Sequence, residues 1–337
     1  MNTKQIAYSI LDLALVSKGN TLNQTFNDVL KLAQHSESFG YTRFWLAEHH
    51  NAENIGSSAT SVLIGYVAEG TTTIRVGSGG VMLPNHSPLI IAEQFGTLES
   101  LYPNRIDLGL GRAPGTDRAT AIAIRSDFMQ AAHSFPDKLE KIQTYFSKAN
   151  ANSKIRATVA EGLEIPIYIL GSSTDSAHLA AKKGLPYAFA SHFATTHLFE
   201  AIKVYRNEFK ASASLKKPYV IAGVNIIVAD TDKEAERLST SLIRMIIGIF
   251  TGNRDFVQPP TEMTDDLKEI MQHPQVHQML KYSFIGSKAK VKAQVKTFLK
   301  QTKADELIAV THLYDVNDRI KSYKLFAEIM NEINEIN

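Results

Sequence analysis

Eight times along this chain a short apolar run is followed by a stretch with helical spacing, and few folds accommodate that count. The runs are residues 8–13 (YSILDL), 43–47 (RFWLA), 74–83 (IRVGSGGVML), 105–111 (RIDLGLG), 165–171 (IPIYILG), 187–191 (YAFAS), 219–229 (YVIAGVNIIVA) and 306–312 (ELIAVTH). They are nearly continuous in hydrophobicity rather than alternating, as strands buried on both faces of a parallel sheet are. Eight βα units predict an α/β fold of the (β/α)8 TIM barrel type, lengthened by insertions beyond the usual ~250 residues. An open doubly wound sheet is the alternative, and the absence of any linker or domain break favours closure. The chain is expected to form a single domain over 1–337. Within it, 251–283 is expected to be an insertion or mobile lid, because Pro259-Pro260, Asp265-Asp266 and His273-Pro274 interrupt the rhythm.

The most informative stretch is 89–117, a helix, a tight turn, a strand and a glycine-rich loop. The helix is predicted over 88–101, with Pro88 in its first turn, where no amide partner is needed. Tyr102-Pro103-Asn104 ends it, since proline cannot continue the hydrogen-bond ladder. Gly109 and Gly111 in the following strand imply close approach of another backbone. Arg112 then leaves the strand on a flexible loop, where a guanidinium suits a phosphate; a solvated ion pair is the ordinary alternative. The run is GxGxxxG rather than GxGxxG, and Pro114 interrupts the expected helix start, so it is not a dinucleotide fingerprint. Elsewhere Thr21 or Asn23 caps the first helix and Gly40 closes it. A helix over 57–69 is rich in small residues, which suits close packing on the sheet or on a partner subunit. Residues 116–164 are irregular apart from a helix over 137–149. Another helix is expected over 287–300.

The composition narrows the chemistry. The formal net charge of +2 offers no surface for nucleic acid or another polyanion. Cysteine is absent, which removes disulfides, thiolate nucleophiles and cysteine–metal sites together. No run approaches the ~18 apolar residues of a membrane span. The N-terminal residues suit a first strand better than a signal sequence. A soluble, cytoplasmic protein is the expectation.

Barrel active sites lie at the C-terminal ends of the strands. Asp12, Glu48, His49, His50, Arg112, Ser172, Ser173, Ser176, His192, Asn225 and His312 all fall there. Glu48-His49-His50 is not HExxH, and the first strand lacks HxH, so no metal site is expected. No GxSxG elbow for a serine nucleophile and no P-loop is present. The run from Gly171 to Ser176 (GSSTDS) is more specific. It sets several hydroxyls and free amides at a helix start, which is an anion site by geometry and dipole. One Ser or Thr suffices for capping; the surplus favours a phosphate, shared with Arg112.

These residues resemble the bacterial luciferase-like flavin monooxygenases. The matching segments are FWLAEHHN, VGSGGVMLPNHSPLIIAEQFGTLESLYPNRIDLGLGRAPGTD, YILGSSTDSAHLAAKKGLPYAFAS, FIGSKAKVKAQV and ADELIAVTHLYD, which together span nearly the whole chain. The resemblance implies a (β/α)8 barrel that binds reduced FMN or, in some branches, the deazaflavin F420. It implies that His49 is the catalytic histidine, acting as acid/base or steadying a flavin peroxide. It implies flavin phosphate contacts at Arg112, Ser172, Ser173 and Ser176, in the turn that Gly171 opens. It puts Gly79 and Gly80 where the family often has a non-prolyl cis peptide beneath the isoalloxazine. The activity it implies is a monooxygenase that takes reduced FMN from a separate flavin reductase, and O2, to oxidise a small organic substrate. It also implies a homodimer paired through the helices after strands two and three. An F420-dependent dehydrogenase and a non-catalytic flavin-binding protein are the alternatives on the same fold. Gly111 stands where the luciferase has its reactive cysteine, and 251–283 does not visibly match the luciferase mobile loop.

Overall fold

The computed structural model describes residues 5–336. Nine strands form one parallel sheet: β1 (Ala7–Asp12), β2 (Arg43–Leu46), β3 (Arg75–Met82), β4 (Ile106–Gly111), β5 (Ile167–Gly171), β6 (Tyr187–Phe189), β7 (Val220–Ala229), β8 (Ser283–Ser287) and β9 (Glu306–Val310). Strands β1 to β7 pair in order, β7 pairs with β9, and β9 returns to β1, which closes an eight-stranded TIM barrel. The expected closure therefore holds, and the open sheet is excluded.

Strand β8 lies outside the barrel and is the ninth strand that the apolar runs do not announce. It pairs with the second half of β7, from Asn225 opposite Ser283 to Ala229 opposite Ser287. Its residues alternate between buried and half-buried, so SFIGS lacks the continuous hydrophobicity of a strand covered on both faces.

Local signals explain most element ends. Thr21 caps the first helix, Leu22–Ser38, in a reciprocal capping box with Gln24. The small-residue helix starts at Thr60 rather than 57, because Ser57 is used otherwise: it accepts from His49 N–H and donates to Leu13 O. Helix Thr174–Lys183 ends at Gly184, whose φ of 61° is a left-handed cap. A side chain there would also meet Lys210 O at 2.4 Å. The irregular 116–164 stretch contains helices Arg118–Ile124, Phe128–His133 and Phe135–Phe146. The segment after Thr251 first runs across the barrel mouth, where Val257 exchanges backbone hydrogen bonds with Val16 and Lys18. It then forms helices Asp265–Gln272 and Pro274–Leu280. Among the described residues no helix is long and apolar enough to cross a membrane.

Two apolar layers hold the barrel. The larger lies between the strands and the surrounding helices, with Phe44, Phe95, Leu108, Tyr187 and Phe326 fully buried. The smaller fills the lumen with Leu11, Trp45, Tyr168, Ile221 and Ile308. Beneath it, at the N-terminal ends of the strands, sits a buried ionic cluster. Arg43 reaches Asp107 Oδ2 at 2.6 Å and Glu306 Oε1 at 2.8 Å, and Arg75 holds the other Asp107 oxygen at 2.6 Å. The Arg43 guanidinium carbon also stands 4.9 Å from the Tyr168 ring centroid and 5.5 Å from that of Trp45.

Removing one partner of such a cluster strands the others without compensation. Arg43→Met is expected to lose about 3–5 kcal/mol of stability, far more than an exposed arginine would. Urea unfolding of the two proteins measures it, and a loss below about 1 kcal/mol contradicts the assigned role.

Candidate active site

The strand ends open into one cavity of about 700 Å³, walled largely by apolar side chains such as Leu11, Leu13, Trp45, Leu170, Met245 and Phe256. Of the candidate residues, Gly79, His49, Arg112, Gly171, Ser172, Ser173, Ser176, His192, Asn225 and His312 line it. Three polar candidates are used elsewhere. Asp12 is buried in an ion pair with Arg319 and accepts from Ala14 N–H. Glu48 and His50 pair with each other beside the cavity. Gly80 faces the barrel wall, where a side chain would meet Gly109 O at 2.7 Å. The β3–β4 register shifts between Ser78 and Val81, and the Gly79–Gly80 peptide there is cis.

His49 is fixed from both sides. Its Nδ1 lies 3.1 Å from Gly115 O, and a carbonyl only accepts, so Nδ1 carries the proton. The neutral ring therefore keeps Nε2 as its free acceptor. Burial lowers the His49 pKa and the positive charge of Arg254 adds to this, while the Gly115 carbonyl and Glu48 oppose it. The ring is accordingly neutral at pH 7.

The preceding residue, Glu48, is buried among donors. It accepts from His50 Nε2 at 2.9 Å, His86 Nε2 at 2.9 Å, Asn85 Nδ2 at 3.1 Å and Met82 N–H at 3.0 Å. Burial alone would raise its pKa, but these hydrogen bonds and the charge of His86 outweigh it and hold the carboxyl at about 2. Glu48 thus pins the end of β2 to the loop after β3 and sets the backbone that carries His49.

Across the cavity, β5 runs into helix Thr174–Lys183 through Gly171-Ser172-Ser173. The first amides of that helix have no partner within it. Ser173 caps the helix by position, but its hydroxyl makes no capping bond. Neither it nor the Ser172 hydroxyl has a partner among the described residues. Ser176 behaves differently: its hydroxyl donates to Ser173 O at 2.9 Å and contacts Tyr187 Oη at 3.1 Å, so it braces the turn from behind. Gly171 makes that packing feasible, since a side chain there would stand 1.8 Å from Ser176 Oγ. Arg112 overhangs the turn and pairs with Asp175 Oδ2 at 3.0 Å. Both partners are more than half exposed, so this pair contributes little and yields readily to an anion.

Other cavity residues carry no advance signal. Trp45 lies within an ordinary apolar strand, and Asn54 lies in a plain loop. Arg254 and Phe256 come from the segment expected to be an insertion. Among the described residues no group of three or more His, Asp or Glu is placed to hold a metal ion.

A closed parallel barrel whose strand ends open into one largely apolar cavity, with a neutral histidine and unpartnered serine hydroxyls on its rim, has the architecture of an enzyme scaffold for a small organic ligand. Over residues 6–323 the sequence matches the luciferase-like monooxygenases, and the chain belongs to that family, an oxidoreductase family. It is 45% identical over 333 residues to a luciferase-like monooxygenase of Escherichia coli K12, covering 99% of each chain. Among solved structures, apo-MsnO8 superposes with a TM-score of 0.88 at 31% identity, over 97% of this chain and 99% of that one. The fold extends to more distant neighbours. One is the oxygenating constituent of 3,6-diketocamphane monooxygenase from Pseudomonas putida in complex with FMN, with a TM-score of 0.71, 18% identity and 96% and 97% of the two chains covered. Another is an F420-dependent secondary alcohol dehydrogenase, with a TM-score of 0.69, 14% identity and 97% and 99% covered. The fold thus serves both FMN and F420.

The Glu48 environment has a pH signature. Its folded pKa of about 2 lies below the ordinary 4.5, so its contribution is complete above pH 4.5 and is lost as pH falls toward 2. Glu48→Gln is expected to be about 2–4 kcal/mol less stable than the parent at pH 7. Urea midpoints at pH 7 and pH 3 should show that gap narrowing; a gap independent of pH contradicts the assignment.

Proposed function

We propose that the chain is a flavin-dependent monooxygenase, using reduced FMN delivered by a separate flavin reductase, and O2, to oxidise a small organic substrate. One adjacency carries this reading: the Ser172–Ser173 turn and Arg112 open directly onto the apolar cavity. Unpartnered hydroxyls, free helix amides and a weakly held guanidinium suit a phosphate. Leu11, Trp45 and Leu170 suit a flat aromatic ring beyond it. Family membership supports the reaction class.

In this reading Arg112, Ser172, Ser173 and the first amides of helix Thr174–Lys183 hold the phosphate. Gly171 and Ser176 keep the turn in shape. Gly79, in its cis peptide with Gly80, forms the wall beside the ring. When bound, reduced flavin supplies the two electrons with which O2 is activated. His49 Nε2 takes or returns a proton at the reacting centre, and its neutral state at pH 7 favours the role of base. The apolar walls keep bulk water from the reaction.

A second copy of the chain is the partner this reading requires at the surface. Helices Thr60–Glu69 and Pro88–Leu101 follow β2 and β3 and expose Val62, Tyr66, Ile90 and Leu101. Large apolar side chains on neighbouring helices are the kind of surface that a dimer covers.

Trp45 is the sole tryptophan and lines the cavity, so its fluorescence reports occupancy directly. Anaerobic titration with reduced FMN is expected to quench it saturably. Arg112→Ala should weaken FMN binding about 10- to 100-fold while leaving reduced riboflavin, which lacks the phosphate, unchanged. Equal affinity for the two ligands in the parent protein would refute the phosphate site. Tight binding of F420 with none of reduced FMN would establish the dehydrogenase alternative instead.

The rate of flavin reoxidation after admission of O2 should fall as pH drops through a value below 6.5, where His49 becomes protonated. That inflection should vanish in His49→Gln; its persistence would remove His49 from the mechanism. By sedimentation the parent is expected to be a dimer and Val62→Asp/Leu101→Asp a monomer. A monomeric parent rejects the pairing.

A further inference from the structure

The cavity wall carries a further polar cluster, within electrostatic reach of His49, that the proposed phosphate contacts do not use. Ala222 of β7 pairs with Phe189 of β6, and Asn225 of β7 pairs with Val310 of β9. The ends of β6 and β9 therefore flank the middle of β7. They bring His192, Asn225 and His312 to the same stretch of cavity wall. His312 is only 5% and Asn225 only 2% exposed.

Each of the three carries a buried polar atom without a partner: His192 Nδ1, His312 Nδ1 and Asn225 Oδ1. The Asn225 amide is oriented by its own bonds. Nδ2 donates to His192 O at 2.6 Å and to Ser283 Oγ at 3.1 Å, which leaves Oδ1 as the free acceptor. His192 lies against the β7 backbone only because residue 223 is glycine; a side chain there would stand 2.5 Å from Nδ1. Buried polar groups are rarely left unpaired, so such a set on a cavity wall points to a ligand that satisfies it.

The donor and acceptor pattern indicates which group. Burial holds His192 at about 4 and His312 at about 3, so both rings are neutral at pH 7. Arg319, whose charge acts on His312, is paired with Asp12. A neutral imidazole offers one N–H and one lone pair, and Asn225 Oδ1 only accepts. A hydroxyl both gives and takes a hydrogen bond. A ketone or ether oxygen only accepts, and a carboxylate or ammonium would bring an unpaired charge into this wall.

We propose that His192, Asn225 and His312 form the specificity site for the substrate, and that the substrate is a small, uncharged, mostly apolar alcohol or phenol bound by its hydroxyl at this cluster. The proposal rests on the monooxygenase reading for the word substrate; the hydroxyl preference itself does not.

Cyclohexanol, cyclohexanone and methylcyclohexane are probes of one shape that differ in this single group. Titration of the full chain with each, followed by Trp45 fluorescence, is expected to show cyclohexanol binding about 10-fold more tightly than the other two. Its addition should also shift the side-chain nitrogen resonances of His192 and His312. Asn225→Leu and His312→Phe should each reduce the preference to near unity while still binding methylcyclohexane, which certifies a folded cavity. Reduced FMN is titrated in parallel on every variant. Equal affinity for the three probes in the parent, or an undiminished preference in both variants, overturns the proposal. So does a loss of FMN affinity in both variants with the probe preference intact, because these residues would then serve the flavin. Failure of FMN binding with the hydroxyl preference present rejects the monooxygenase reading alone.

Discussion

The structure depends on a guanidinium placed where water cannot reach it. Arg43 lies inside the barrel, and its charge is affordable only because Asp107 and Glu306 converge on it from β4 and β9. The three strands are not neighbours, so this cluster joins the ring across its lumen rather than around it. With Arg75 it balances two cations against two carboxylates, which avoids an uncompensated buried charge. Tyr168 and Trp45 stack on it, and Trp45 reaches the cavity above. Chemistry at the rim therefore rests on electrostatics at the base, and the two ends of the barrel carry separate tasks.

At the rim a similar economy recurs with neutral groups. Glu48 is surrounded by donors and faces away from the cavity, while His49, the next residue, faces into it. Ser176 braces the turn whose two other serines stay free. In each case nearby residues divide into one that supports and one that is presented to the cavity. The support fixes geometry before any ligand arrives, which is the condition for selective binding.

Much of this was legible in the order of residues. Eight apolar runs announced the barrel because a strand covered on both faces must be hydrophobic throughout. The helix Pro88–Leu101 and the strand after it followed from proline and glycine placement. The run GSSTDS marked a stretch that the structure sets on the cavity wall. Strand β8 was not legible, since half of its short length meets solvent. The difference between Ser173 and Ser176 was hidden too, because a serine that braces and a serine whose hydroxyl is left free have the same letter. Arg43 read as the opening residue of a strand; only the closed ring shows that its side chain points inward. His192 and His312 stood out as strand-end histidines. Their lack of partners depends on neighbours from three distant parts of the chain.

Strand β7 carries a consequence for how chains of this kind can change in length. Besides its pairing with β6, it serves two further partnerships in succession, and Asn225 belongs to both: it faces Val310 within the barrel and Ser283 outside it. Inserting or deleting one residue in β7 would shift two registers together and turn every following side chain to the opposite face. Insertions and deletions are easier to accommodate where no such double registration exists, as in the stretch 116–164. Descendants of this chain are thus free to acquire new loops over the cavity while the strand ends beneath keep their spacing.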